Sequence, residues 1–341
     1  MVNLTKAHNE LFRRGEDERF ESLAALHEHC LQEKQESQDR WHSPQAFRPE
    51  ANGSIKLALG SDGAFALNHW SFSQLCGLCG VSKETLNKLS LATTGQALRE
   101  TLPSGNRPLQ VLTRGEMVRS IHGVAYSRLW NADMLAMIRE FATDFEPPQK
   151  GIGGATGLYC GEQDLFCFLI DPAGWTEIGG QAFAPGFFVW NSEVGRRSVG
   201  VQTFWFQAVC QNHIVWDAVE VVEFTRKHTG NVAESLGEIR RIIAELVTKR
   251  DARKDGFAKV IGKAMQERVA QDGDEATKFL FKHGIPRHLV QQAIARISAE
   301  RQAFTLWTLV DALTRLTGEV RYAGDRMEAD AKVAQLLALA V

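Results

Sequence analysis

The chain has 341 residues, of which 44% are hydrophobic, 23% charged and 9% aromatic. That is enough apolar material for one large domain or two ordinary ones, and it excludes a low-complexity chain. A formal net charge of -2 excludes a uniformly basic protein, so any attraction for nucleic acid must come from local clustering.

Asn9 to Arg40 reads as a helix, with Leu23, Leu26, Cys30 and Leu31 on one stripe, and the two prolines between Trp41 and Pro49 end it. Residues 1–50 are therefore expected as a helical N-terminal arm. Ile55, Leu57 and Leu59, then Phe65 and Leu67, alternate around Gly60-Ser61-Asp62-Gly63 as a β-hairpin. Ser71 is expected to cap a short helix, and Ser82-Lys83-Glu84-Thr85 opens a helical segment reaching Leu102. Leu109–Arg114 and Met117–Leu129 form a second strand pair across Gly115-Glu116. Asn131 or Asp133 then caps a helix running to Phe145.

Pro147-Pro148 and the glycine run from Gly151 to Gly157 are the clearest internal break, dividing a small α+β subdomain (51–148) from a sheet followed by basic helices (149–341). Four strands are expected after it: Leu158–Asp171, Gly186–Ser192, Ser198–Cys210 and Ile214–Phe224. Helices follow over Asn231–Arg253, Gly256–Gln271, Asp274–His283, Arg287–Leu316 and Asp325–Leu339. The expected fold class is α+β: antiparallel curved sheets in the middle of the chain, a helical N-terminal arm and a helical C-terminal half.

Between Thr225 and Gln302 there are 16 Lys and Arg against 10 Asp and Glu. Single-stranded nucleic acid needs positive charge tracking its phosphates and flat rings for its bases. Arg196 and Arg197 in a strand-linking turn, then Arg240, Arg241, Lys249, Arg250, Arg253 and Lys254 on the following helix, are the candidate phosphate contacts, with Trp205 as a stacking ring. Arg114, Arg119 and Arg128 form a further set beside the second strand pair. The competing expectations are a solvated helix face with pairs such as Glu245 and Lys249, and aromatic rings turned into the core.

Cys76-x-x-Cys79 and Cys210-x-x-His213 have the spacing of two half-sites for zinc. Against that, Cys76 and Cys79 share a helix face with Leu75 and Leu78, where cysteine is an ordinary small hydrophobe, and neither metal nor cofactor is expected. No lysine follows the glycine run to make a phosphate-binding loop, and no Gly-x-Ser-x-Gly elbow is present. The carboxylates Glu162, Asp164, Asp171, Glu177 and Glu193 have no diagnostic spacing, and His8, His27, His29 and His42 read as scattered surface histidines of the arm. The six cysteines do not form a secreted disulfide framework, and neither a signal-peptide pattern nor a long apolar run is seen. The expected setting is the cytoplasm, away from any membrane.

Leu112-Thr113-Arg114, Val118-Arg119-Ser120-Ile121, Ala125-Tyr126-Ser127, Asn191-Ser192, Val209-Cys210-Gln211-Asn212, Thr305-Leu306-Trp307 and Ala312-Leu313-Thr314 resemble the phage/plasmid-like proteins grouped as domain-of-unknown-function family 932. The chain departs from that pattern at His122-Gly123-Val124 and at His213. The order of strands followed by a basic helix is also similar to single-strand annealing proteins of the Rad type. These resemblances imply a mobile-element protein of DNA metabolism. The expected function is non-enzymatic binding or annealing of single-stranded DNA by a homo-oligomer. The alternatives are a protein-interaction or anti-restriction factor, and a metal-dependent nuclease or zinc protein.

Overall fold

Ser22 accepts a hydrogen bond from the Ala25 N–H at 3.1 Å and starts α1, Leu23–Glu36. The chain around it is a computed structural model that describes residues 18–148, 157–207, 213–216, 223–318, 333 and 335–340. α1 stops at Ser37, whose backbone is extended, and Ser37–His42 becomes β1 instead of continuing the helix expected to Arg40. The reason is non-local. Ser37 to His42 pair residue by residue with Arg114 to Leu109, so a polar segment that satisfies a helical pattern is captured by a sheet edge. The helical arm expected over 1–50 is therefore corrected: among the described residues it is one helix followed by strands.

The first sheet holds β1, β2 (Phe47–Asn52), β3 (Ser54–Leu59), β4 (Ala64–Leu67), β5 (Leu109–Arg114) and β6 (Met117–Gly123), in the order β1-β5-β6-β4-β3-β2. Every pairing is antiparallel except β4 with β6, whose connection carries α2 (His69–Leu78), α3 (Lys83–Leu86) and α4 (Leu91–Thr101). The cap of α2 is Asn68, with Ser71 completing a reciprocal capping box three residues on; Ser82 and Ser90 cap α3 and α4. Leu57, Leu59, Phe65, Leu75, Leu98, Val111 and Val118 form the core beneath this sheet.

The second sheet is wholly antiparallel, with a spine of β12 (His213–Trp216), β11 (Val199–Gln207), β10 (Gln181–Asn191), β8 (Leu165–Ile170) and β7 (Leu158–Cys160). β9 (Thr176–Ile178) and β13 (Glu223–Arg226) add to β10 and β11. The run Leu165-Phe-Cys-Phe-Leu-Ile170 is buried throughout because both of its faces are covered. Leu165, Cys167 and Leu169 face a core shared with α1, α5 (Asn131–Phe141) and α6 (Ser235–Thr248), while Phe166, Phe168 and Ile170 join Phe188, Trp190, Phe204 and Phe206 on the other side.

α7 (Arg250–Gln266), α8 (Gly273–Lys282), α9 (Arg287–Ala299) and α10 (Leu306–Gly318) enclose a third core into which Phe183 and Trp205 of the second sheet project. The single helix expected over Arg287–Leu316 is two. Arg301 takes a left-handed φ of 54°, and Thr305 Oγ1 accepts from the Thr308 N–H at 3.1 Å to begin α10. The glycine run 151–156, Cys210 and most of the helix expected over Asp325–Leu339 lie outside the described residues. Among those described, no helix is long and apolar enough to cross a membrane. The α+β architecture, mostly antiparallel with helices at both ends, is the one expected.

Candidate functional site

His29 and Glu33 stand four residues apart on α1 and so share a face of the helix. β7 runs beside that helix and ends at Cys160. One donor atom from each of His29, Glu33 and Cys160 lies within 4.8 Å of the others. Zinc bound by nitrogen, oxygen and sulfur holds its ligand atoms about 3.3 to 3.8 Å apart, and the His29–Glu33 pair, at 3.8 Å, lies at the upper end of that range. Glu33 Oε2 is buried without a hydrogen-bond partner, although it lies 3.8 Å from His29 Nε2 and 3.6 Å from Arg119 Nη2.

These three residues line one wall of a cavity of about 550 Å³. The cavity is acidic on balance: Glu18, Glu33, Glu36 and Glu162 line it against Arg114 and Arg119. Both guanidiniums are already committed. Arg114 pairs with Glu33 and, at 2.8 Å, with Glu36, while Arg119 lies 3.0 Å from Glu193 and faces Glu33. Glu193 also accepts from the Asn131 N–H at 2.8 Å, and burial pushes its carboxyl upward against the pull of Arg119. Cys160 is bracketed by Cys30, whose sulfur is 3.8 Å away, and by Asn131 Nδ2 at 3.9 Å.

The Cys30 contact and then burial push the Cys160 thiol well above its ordinary range, with only a hydrogen bond to His29 pulling it down. The thiol is thus protonated at neutral pH, which disfavours a thiolate nucleophile; a bound cation is what would remove its proton. Of the two half-sites set against core packing, the first lies in a hydrophobic core. Cys76 and Cys79 are buried in the core of the first sheet, where burial raises Cys76 to about 11. Cys210 and the side chain of His213 lie outside the described residues.

A second polar cluster is built where Tyr126 packs between two rings. His122 stacks on it at 3.6 Å and 8°, and His228 lies on it at 5.6 Å. Gly195, with φ +71°, closes the cluster, because a Cβ there would come within 2.6 Å of the His122 ring. Arg128 lies 5.3 Å from the Tyr126 ring. Burial lowers His122 to about 3 and His228 to about 4, with the Arg128 charge adding to both effects.

Six of the expected nucleic-acid contacts are ion-paired. Arg114, Arg119, Arg128, Arg197, Arg241 and Arg250 each face carboxylates: Glu33 and Glu36, Glu33 and Glu193, Asp39, Asp164, Glu238 and Glu245, and Asp171. Arg196 lies over the Trp70 ring at 5.2 Å, Arg240 over Phe141 at 3.5 Å, and Arg253 is buried in α7. Lys249 is exposed at the junction of α6 and α7, and Lys254 is half-buried. The stacking role of Trp205 is corrected: the ring is 0% exposed and stacks on Phe257 at 4.3 Å, so it offers no face to a base.

Sequence reasoning passed over His29, Glu33 and Cys160, taking the first for a scattered surface histidine. The available signal was a His and a Glu at i and i+4 beside a Cys on one helix. Comparison of the chain with protein-family models, with curated proteins and with solved structures finds no match in any of the three.

Proposed function

We propose that this protein depends on a divalent cation held by His29, Glu33 and Cys160. The observation that carries this reading is the convergence of a nitrogen, a carboxylate oxygen and a sulfur donor within 4.8 Å on the wall of an acidic cavity. Three protein ligands leave one position open to the cavity, the pattern of catalytic zinc sites and not of closed structural ones. A cation held by these residues would supply Lewis acidity and an activated water, and the reaction class that fits is metal-assisted hydrolysis. The chain's own residues hold and orient: Asn131 fixes Cys160 from one side, and Arg114 and Arg119 pin the Glu33 carboxylate.

Chelator-stripped protein titrated with Zn²⁺ or Co²⁺ is expected to bind one equivalent, with a thiolate-to-cobalt absorption band. His29→Ala and Cys160→Ser should each weaken binding at least about 100-fold, the scale of losing a ligand from such a centre. Glu84→Gln on exposed α3 should not. A wild-type chain with no saturable binding, or a Cys160→Ser variant binding as tightly, overturns the reading.

A second reading, single-stranded DNA binding by a homo-oligomer, is supported by the excess of Lys and Arg between residues 225 and 302. The exposed lysines of that segment include Lys249 and Lys259. Under it, Lys249→Ala/Lys259→Ala weakens binding of a labelled oligonucleotide and lowers the salt slope by about 1 for each lost contact. An unchanged slope removes it.

A further inference from the structure

Cys30 and Cys160 bring their sulfurs to 3.8 Å from positions 130 residues apart in the chain, one on α1 and one at the end of β7. Cys160 lines the cavity, while Cys30 is wholly buried behind it. The two therefore differ in access and not in kind: an oxidant entering the cavity meets Cys160 first, and Cys30 is the thiol already placed to answer. We propose that this pair is a redox switch on the cation site, in which a Cys30–Cys160 disulfide withdraws the sulfur ligand and releases the ion. The inference rests on the cation reading above, since it describes the regulation of that same centre.

The chemistry balances with a hydroperoxide as oxidant. With hydrogen peroxide, the O–O bond breaks as one oxygen bonds to the Cys160 sulfur, held as a thiolate by the bound ion, giving a sulfenic acid; the other oxygen leaves as hydroxide and becomes water with the proton the thiol gave up when the ion bound. The Cys30 sulfur then attacks the sulfenic sulfur; the S–S bond forms, the S–O bond breaks, and a second water departs with the Cys30 proton. Two thiols have together lost two electrons and two protons to one peroxide. Bond formation needs the sulfurs to close from 3.8 Å to about 2 Å, a movement shared by two side chains on a helix and a short strand. Once formed, the bond leaves His29 and Glu33 as the remaining donors, too few for a tight zinc site.

The test uses the full chain, zinc-loaded and zinc-free, exposed to one equivalent of hydrogen peroxide. Expected are a disulfide-linked pair of peptides containing Cys30 and Cys160 in a non-reducing digest, release of one equivalent of zinc to a chromogenic chelator, and re-uptake after a thiol reductant. Cys30→Ser and Cys30→Ala should bind zinc as the wild type does but yield no linked peptide, the Cys160 sulfenic acid being trapped instead by a sulfenic-acid reagent. If the wild type binds no zinc, the cation reading fails and the linked peptide from zinc-free protein is still scored by itself. If zinc binds and peroxide yields no such peptide, or zinc stays bound after the link has formed, the switch is overturned alone.

Discussion

Arg119→Leu is expected to lower the free energy of unfolding by about 3 to 5 kcal/mol, the scale of leaving a buried ion without its partner. Arg119 is 5% exposed and lies between Glu193, 2% exposed, and Glu33, 7% exposed, at 3.0 and 3.6 Å. The guanidinium fork reaches both carboxylates, and removing it strands the Glu193 charge in a setting that cannot solvate it while leaving Glu33 to Arg114. Arg119→Lys keeps the charge but not the fork, so it should recover only part of the loss. Adding Glu193→Leu to Arg119→Leu should restore part of the stability through a coupling of roughly 0.5 to 3 kcal/mol. Denaturant unfolding at fixed pH measures the wild type, Arg119→Leu, Glu193→Leu, the double variant and Arg119→Lys. An Arg119→Leu cost below about 1 kcal/mol, the level of an exposed pair, would show that the network does not hold α1, β6 and the β10–β11 turn together.

Acidification from neutral pH toward about 4 is expected to cost on the order of 5 kcal/mol through His122 and His228 alone. Both have folded values below the ordinary 6.5, about 3 and about 4, because their rings are buried beside Arg128 and Tyr126. Above 6.5 the folded and unfolded states are equally neutral and the pair contributes no pH dependence. Between 6.5 and 4 the unfolded chain takes up protons that the folded chain refuses, so stability falls as pH falls. Glu193, pushed upward by burial, works in the opposite sense as it gains a proton in the fold. The His contribution is therefore read from a variant: His122→Phe/His228→Phe should flatten the slope of unfolding free energy against pH in that window, whatever it does to stability at neutrality. A slope unchanged from wild type would mean that the histidines titrate normally.

The elements most open to sequence reasoning were those whose signals lie within a few residues. The Gly60–Gly63 hairpin, the helix starts at Ser82 and near Asn131, the β10–β11 turn with Arg196 and Arg197, and the change from strands to helices near Asn231 all recur in the structure. Shifts of a few residues occurred where two polar side chains competed for a cap, as with Ser71 and Asn68. β1 was missed altogether because its pairing partner, β5, is more than 60 residues away and its own composition is compatible with a helix.

Composition and local periodicity determined the α+β class, the places where helices begin, and which arginines and cysteines exist to be used. What each of those groups does was decided only when the chain closed. Arg119 meets Glu193 across 74 residues, Arg128 meets Asp39 across 89, and Arg250 meets Asp171 across 79, so the partners of these three arginines are not visible in their sequence neighbourhoods. Helix α1 by itself carries His29 and Glu33, and only the arrival of Cys160 from β7 turns them into a donor set. The reason is physical: Coulomb forces, hydrogen bonds and coordination fall off over a few ångströms in space, and distance along the chain does not measure that separation.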